Sequence, residues 1–196
     1  MLYLASVSPR RQELLSRLGL RFRQLEPAVC EEELLAKLGH SDPARFARTA
    51  ARAKAWSVIG QVRKGLIIGV DTVVVVRGTI LGKPRTRADA RQMLALLSNR
   101  THRVISGVAV VRRPDNRTFA GTETTLVRFR RLGSSEIDRY VRTPEPYDKA
   151  GAYGIQEAAG VFVARVNGCY LNVVGLPVTL LLKLLGRAGY RLMRST

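Results

Sequence analysis

The sequence predicts a mixed α/β fold. A run of Val and Ile between Leu66 and Val76 is typical of a buried strand, and leucine-rich segments that begin at Ser, Asp or Thr and end at Gly indicate helices. These elements do not alternate strictly, and no Gly-rich dinucleotide or Walker signature occurs, which argues against a Rossmann-type domain. With 196 residues and 46% hydrophobic content, we expect one domain covering residues 1–196.

The first half of the chain contains clear helix boundaries. Its predicted elements are a strand at residues 2–5, a helix from Pro9 to Leu18, a helix from Pro43 to about Ile59, and a long strand that turns at Arg77-Gly78 within residues 66–84. Ser8 and Asp42 are the predicted N-caps, and the proline after each favours the first helical turn. Gly19 and Gly60 mark the helix ends. The acidic run Glu31–Glu33 is typical of a further helix start.

The second half predicts helices and hairpins around one polar loop. Its predicted elements are a helix behind a Thr86/Asp89 capping box, strands at 102–111 and 118–130 with a turn at 114–116, a helix from Ser134 or Ser135 through Val141, a hairpin at Asn167-Gly168, and a helix from about Pro177. Residues 143–156, TPEPYDKAGAYGIQ, are rich in Pro and Gly but have too many polar groups for a simple connector. This loop is therefore a candidate functional segment.

The chain is strongly basic, with 33 Lys and Arg against 15 Asp and Glu and a formal net charge of +18. Such a charge attracts small polyanions. The arginines are scattered along the sequence, and no finger, basic-zipper or RNP-type signature accompanies them. Nucleic acid is therefore not an expected partner.

Cysteine usage and hydropathy bear on the cellular compartment. Cys30 and Cys169 are far apart and match no zinc or redox spacing, so we expect reduced, unpaired thiols. No segment approaches the roughly 18 apolar residues of a membrane span, and no signal-peptide pattern is present. We expect a cytoplasmic protein with no membrane partner.

The segment LASVSPRRQELL places Arg10 and Arg11 at the start of the first helix. The free N–H groups and the positive end of the dipole meet there, next to the predicted N-cap Ser8. Two added arginines disfavour the empty helix end but favour a bound phosphate. The alternative is a helix whose arginines point into solvent.

Asp71 interrupts the apolar run at 66–76, where an unpaired carboxylate would be costly. It either binds a divalent metal or accepts a proton from water, or it lies at a strand end bonded to nearby backbone. Lys54, Lys83 and Lys149 are three of only six lysines beside 27 arginines. They are candidates to surround a triphosphate, the alternative being ordinary surface lysines.

Several motifs resemble one family. They are LASVSPRRQELLSRLGL, GVDTVVVVRGTILGKP, LSNRTH, EPYDKAGAYGIQ and NVVGLP, which occur in this order over nearly the whole chain. They are similar to motifs of the Maf family of nucleoside triphosphate pyrophosphatases. The resemblance implies hydrolysis to the monophosphate and pyrophosphate with Mg or Mn. It also implies a mixed twisted sheet with flanking helices and two lobes around a central nucleotide cleft (Maf/ITPase-like), and makes a homodimer plausible.

The resemblance also implies roles for individual residues. Asp71 takes the place of the family's catalytic acid and is an expected metal ligand. The implied phosphate contacts are Ser8, Arg10, Arg11, Lys54 and Lys83, to which the residue pattern adds Lys149. Arg10, Thr72 and Gln156 resemble the branch that prefers dTTP and UTP, which implies a role in housecleaning of the nucleotide pool.

The chain departs from the family pattern at three sites, one of which is TAARAKA at residues 49–55, where LARxKA is usual. Cys30 replaces the first residue of an acidic pair, which leaves Glu31 as the second expected metal ligand. Glu157 stands where glycine is usual after Gln156. The alternatives to a dTTP/UTP enzyme are a 7-methyl-GTP pyrophosphatase of the same family and a non-enzymatic protein that binds nucleic acid or acts in cell division.

Overall fold

A computed structural model of the chain describes residues 1–38 and 42–191. The strands are β1 (Leu2–Ala5), β2 (Phe22–Leu25), β3 (Gly65–Val76), β4 (Thr79–Leu81), β5 (Thr101–Arg113), β6 (Arg117–Phe129) and β7 (Val163–Asn167). The α-helices are α1 (Pro9–Arg17), α2 (Glu31–Leu38), α3 (Pro43–Ser57), α4 (Arg87–Leu97), α5 (Ser134–Tyr140), α6 (Tyr170–Val174) and α7 (Val178–Arg187). The predicted mixed α/β class is confirmed.

The strands form one mixed sheet in the order β2-β1-β3-β5-β6-β7, with β4 paired to β3. β1 is parallel to both of its neighbours, so that Leu2 lies opposite Phe22 on one side and Leu66 on the other. β4 and β7 pair antiparallel with β3 and β6. The mixture of directions agrees with the absence of strict βαβ alternation in the sequence.

The chain divides into two compact units, each built from separate stretches of sequence. Unit 1 comprises Met1–Asp71, Ser106–Glu123 and the chain from Gly175; unit 2 comprises Thr72–Ile105 and Thr124–Val174. One apolar cluster of unit 1 includes Ala55, Val58 and Ile67. Unit 2 has a larger cluster that contains Leu94 and Phe129. The expectation of a single domain over residues 1–196 stays a prediction.

Helix α3 packs unusually close to the sheet of unit 1. Its buried face carries four alanines, Ala47, Ala50, Ala51 and Ala55, together with Phe46 and Lys54. A Cβ at Gly107 on β5 would collide with the carbonyl of Ala47, and one at Gly69 on β3 would collide with the carbonyl of Ala51. Glycine on the strands and alanine on the helix therefore allow this approach.

The helix starts agree with most of the sequence signals. Thr86 and Asp89 form the predicted capping box, and the Asp42 side chain accepts a hydrogen bond from the Arg45 N–H at 2.9 Å. Ser8 occupies the predicted N-cap position of α1, but its side chain makes no capping bond. Its N–H instead donates to Ser6 Oγ at 3.3 Å.

The predicted hairpin at Asn167-Gly168 is wrong. β7 ends at Asn167, Gly168 adopts a φ of 122°, and the following residues form the short helix α6. Thr125 Oγ1 accepts from the Cys169 N–H at 3.1 Å and donates to its carbonyl at 3.0 Å. The Asn172 Nδ2 donates to the Val104 carbonyl. These bonds hold the start of α6 against β5 and β6, where the sequence predicted a second hairpin strand.

β2 was not expected from the sequence, because FRQL is short and half-exposed and shows no clear apolar alternation. The turn at Arg77-Gly78 between β3 and β4 is confirmed, with positive φ at both residues. None of the described helices has the length and apolar character needed to cross a bilayer.

Gly107→Ala is expected to lower the free energy of unfolding by about 1–3 kcal/mol, because the new methyl group meets backbone of α3 that has no rotamer to change. Urea denaturation measures the difference. Gly186→Ala on α7 is the control, since nothing lies within 4 Å of that site, and it is expected to stabilise by up to about 1 kcal/mol. Equal stability of wild type and Gly107→Ala would contradict the close approach.

Candidate functional site

An ion pair between Lys54 and Asp71 lies in the interior of unit 1. Lys54 Nζ is 2.6 Å from Asp71 Oδ1, and the two side chains expose only 7% and 9% of their surface. Water screens such a pair little, so each charge depends on the other for compensation. Lys54 therefore explains how the apolar run of β3 accommodates a carboxylate.

Close packing of α3 on β3 brings Lys54 within contact distance of Asp71. Gly69 lies two residues before Asp71, on the same face of the strand, and there the backbone of α3 approaches at Ala51 and Ala55. Lys54 belongs to the same buried helix face as these alanines. The length of the lysine side chain then spans the remaining distance to the carboxylate.

The start of α1 carries Ser8, Arg10 and Arg11, all half-buried. Arg11 Nε donates to the carbonyl of Gly175 at 2.9 Å, and its Nη1 donates to Ser6 Oγ at 3.0 Å. The Arg11 side chain is thus held against the protein, which is contrary to the solvent-pointing alternative for this residue. It connects α1 to the NVVGLP segment that precedes α7.

Lys149 is a buried cation of unit 2, with only 6% of its side chain exposed. Its Nζ donates to the Glu145 carbonyl at 2.7 Å and to Asp148 Oδ1 at 2.5 Å, and lies 3.1 Å from Glu157 Oε2. Three oxygens thus face an ammonium with three N–H donors. The glutamate that departs from the family pattern is therefore an ionic partner of Lys149.

The loop around Lys149 is fixed by the Glu145 carboxylate. Its Oε1 accepts from the Tyr140 hydroxyl at 3.0 Å and from the Ala159 N–H at 3.2 Å, while Oε2 accepts from the Ala158 N–H at 3.1 Å. Burial and the adjacent Glu145 charge raise the pKa of Tyr140 above its ordinary value. Both ends of the loop are thereby joined through one carboxylate.

Two glycines bring Lys83 beside this loop. The N–H of Gly151 donates to the carbonyl of Gly82 at 3.0 Å, and Gly151 has a φ of 70° with the Val74 side chain against it. Lys83, which is exposed, is the residue after Gly82. Of the remaining predicted contacts in unit 2, Thr72 is half-buried and Gln156 is exposed.

His102 supports the same loop from inside unit 2. Its Nε2 forms a 2.8 Å hydrogen bond with the Tyr153 hydroxyl, and both rings stack edge-on with Phe129. Burial lowers the pKa of His102 to about 4, because the charged ring would lose its hydration. Burial also raises the pKa of Tyr153. The imidazole is therefore a neutral packing element at pH 7.

The residues present limit how a metal ion could be held. Among the described residues, no group of three His, Cys, Asp or Glu side chains is arranged to bind a metal. The predicted ligand Glu31 begins α2, but its side chain lies outside the described part of the structure. Asp71 is a single carboxylate with Lys54 on one oxygen. This donor set fits an ion that takes most of its ligands from phosphates and water, as Mg²⁺ does.

Comparison with known proteins gives the family. A sequence model of the Maf family, described as Maf-like protein, matches residues 1–188. The chain belongs to the Maf family. A protein of Carboxydothermus hydrogenoformans named dTTP/UTP pyrophosphatase is 46% identical over 189 residues, covering 96% of this chain and 99% of its own. Proteins with the same name from Moorella thermoacetica and an Anaeromyxobacter species are 46% and 47% identical, covering 96% and 97% of this chain and 95% and 91% of their own.

In this Maf chain the predicted site residues fall into one group in each unit. Unit 1 holds Ser8, Arg10, Arg11, Lys54 and Asp71, and unit 2 holds Thr72, Lys83, Lys149 and Gln156. The structure pairs Lys54 with Asp71 and joins the Lys83 and Lys149 segments. Sequence reasoning missed Glu145, His102 and Tyr153 as supports of the site. Only the excess of polar groups in the loop pointed to such a role for Glu145.

Removing one partner of the buried pair is expected to cost about 3–5 kcal/mol of unfolding free energy. Lys54→Met and Asp71→Asn each leave a charged or polar group without its partner, whereas the double variant removes both charges. The loss in the double variant should therefore be smaller than the sum of the single losses. Urea denaturation of all four proteins measures this coupling.

The exposed pair between Arg17 and Glu13 on α1 is the control for this cycle. Its side chains are 68% and 53% exposed, and Glu13→Gln is expected to change stability by less than about 1 kcal/mol. Additive losses at Lys54 and Asp71 would contradict a coupled buried pair.

The stability of the protein is expected to fall below pH 6.5 because of His102. Its pKa is about 4 in the folded state and 6.5 in the unfolded chain, so the unfolded state takes up the proton first as pH decreases. The loss approaches about 3 kcal/mol near pH 4. The stability advantage of wild type over His102→Gln should therefore shrink from pH 7 to pH 4.5 in urea titrations. A constant difference would contradict the depressed pKa.

Proposed function

We propose that this protein hydrolyses nucleoside triphosphates, with dTTP and UTP as preferred substrates, to the monophosphate and pyrophosphate. The buried pair of Lys54 and Asp71 carries the proposal, since hydrolysis needs a carboxylate that is held in place and can accept a proton. The relatives named dTTP/UTP pyrophosphatase match nearly the full length of the chain. Removal of nucleotides unsuited to nucleic-acid synthesis is the purpose we infer.

The reaction requires water to attack the α-phosphorus and pyrophosphate to leave. Asp71 is the proposed base, which accepts the proton of the attacking water at Oδ2 while Lys54 Nζ holds Oδ1 in place. In this proposal Arg10, Arg11 and Lys83 bind the triphosphate and stabilise the charge that develops on the leaving group. Ser8 presents its backbone at the start of α1, where the helix dipole favours an anion.

We propose a divalent cation, Mg or Mn, as the cofactor. Asp71 and Glu31 are the residues that would hold it, with phosphate oxygens as the remaining ligands. When bound, such an ion neutralises phosphate charge and polarises the phosphorus centre. Lys54 then has the separate task of keeping the Asp71 carboxylate in a fixed orientation.

Gln156 is the proposed contact to the base. Its amide both donates and accepts, as required by the carbonyl and ring N–H of thymine or uracil. Cytosine presents a different pattern, and a polar site left unpaired by the wrong base discriminates strongly. Thr72 and Arg10 complete the proposed pyrimidine contacts. Glu157, next to Gln156, holds Lys149 toward the loop.

The proposed location is the cytoplasm, where the nucleotide pool is found, and the proposed assembly is a homodimer. A panel of ribo- and deoxyribonucleoside triphosphates with detection of pyrophosphate, with and without Mg or Mn, tests the activity. We expect dTTP and UTP to have the highest kcat/KM, with little selection between them because they differ only in a methyl and a hydroxyl group. A preference for 7-methyl-GTP would assign the chain to the other branch.

Asp71→Asn is expected to lower kcat at least a hundredfold, because an amide cannot accept the proton of the attacking water. Asp115→Asn is the matched control, since Asp115 is an exposed carboxylate paired with Arg112, and it should keep wild-type kcat. Circular dichroism at the assay temperature confirms that both variants are folded. Full activity of Asp71→Asn would refute the role of this residue, and no hydrolysis by wild type would favour the non-enzymatic alternative.

A further inference from the structure

The outer face of α3 carries a basic stripe that the proposed activity does not use. It consists of Arg45, Arg48, Arg52 and Trp56, all exposed. Spacings of three, four and four residues place these side chains on one side of a helix. The stripe extends over about 17 Å, given 1.5 Å per residue.

The orientation of this stripe is fixed by the opposite face of the helix. Ala47 and Ala51 contact the sheet at Gly107 and Gly69 with no space for a Cβ. α3 therefore cannot rotate to hide the arginines. Arg45, Arg48 and Arg52 must face away from the sheet.

The charge on this face is not compensated within the described part of the protein. The segment from Pro43 to Ser57 contains no Asp or Glu, and none of the three arginines forms an ion pair with a side chain that the structure describes. Like charges three and four residues apart destabilise an isolated helix by a few tenths of a kcal/mol per pair. A solvated helix with no ligand gains nothing from this arrangement.

Trp56 adds an exposed aromatic surface at the end of the stripe. It is the only tryptophan of the chain, and 39% of its surface is accessible. An aromatic ring beside a row of cations is the combination that binds single-stranded nucleic acid, since phosphates contact the cations and an unpaired base stacks on the ring. Paired bases in a duplex would not present a free face to Trp56.

We propose that the outer face of α3 is a docking surface for single-stranded nucleic acid. The sequence suggested otherwise because its arginines are scattered, but the helix brings three of them together with Trp56. An anionic membrane fits less well, because a helix at a lipid surface must insert an apolar face, and that face of α3 is buried on the sheet. A second copy of the chain also fits this face less well, because a two-fold interface here would set the arginines of one copy against those of the other.

Fluorescence anisotropy of the full chain with a labelled 15-nucleotide DNA strand that has no 5′ phosphate tests the proposal. Three phosphate contacts predict a slope of log K against log salt of about −2, which is about a twentyfold loss of affinity between 50 and 200 mM NaCl. The tryptophan fluorescence of Trp56 should change on binding. The same strand in RNA should bind similarly, whereas the matching duplex should bind without the fluorescence change.

The decisive variant is the triple Arg45→Gln/Arg48→Gln/Arg52→Gln. Its matched control is Arg87→Gln/Arg142→Gln/Arg187→Gln, which removes the same charge from exposed positions elsewhere. Each arginine lost from α3 should reduce the slope by about 0.7, whereas the control should retain the wild-type slope. Trp56→Ala should weaken binding at least fivefold with the slope unchanged.

Hydrolysis of dTTP is measured in parallel and should be unchanged in the α3 triple variant. Equal slopes for the two triple variants would overturn the proposal, since binding would then follow net charge alone. Binding of phosphatidylglycerol vesicles through the same arginines, without binding of the oligonucleotide, would overturn it in favour of a lipid surface.

Discussion

The contact between α3 and the sheet is the constraint on which most of the functional features of unit 1 depend. Because Gly69 and Gly107 have no side chains, the helix backbone reaches the strands directly, and its alanines fill the interface. This one contact sets the distance from Lys54 to Asp71 and the direction of the outer arginines. If side chains at Gly69 and Gly107 kept α3 further from the sheet, Lys54 would not reach the Asp71 carboxylate.

Lys54 and Lys149, which are both buried, are compensated in different ways. Lys54 pairs with the Asp71 carboxylate on a different element, whereas Lys149 is surrounded by oxygens from its own loop. Burying an ammonium is favourable only with such partners. Asp148 and Glu157 are both ionic partners of Lys149, so a glycine at position 157 would remove one of these partners.

The sequence was most informative where a short-range rule decides the structure. The Thr86/Asp89 capping box, the turn at Arg77-Gly78 and the helix after Pro43 follow from neighbouring residues and are confirmed. The dipeptide Asn167-Gly168 also matches a short-range rule, but the hairpin that it predicts does not form. Thr125, more than forty residues away in the sequence, binds the backbone of Cys169, and the chain continues into α6. The Lys54 partner of Asp71 was invisible for the same reason: their contact depends on tertiary packing, and only the family resemblance suggested that both belong to one site.

Each unit is built from separate stretches of the chain, and this has a consequence for biosynthesis. All of unit 2 lies before Gly175, but unit 1 still needs the chain from Gly175 onward, which includes α7 and the carbonyl that accepts from Arg11. Because the ribosome makes the chain from its N-terminus, α7 completes the unit that was begun first only after all of unit 2 has been made. Until then the core of unit 1, which contains the apolar strand β1 and the first part of β3, is incomplete. A chaperone has most to protect during this interval, between the first and the last contacts of unit 1.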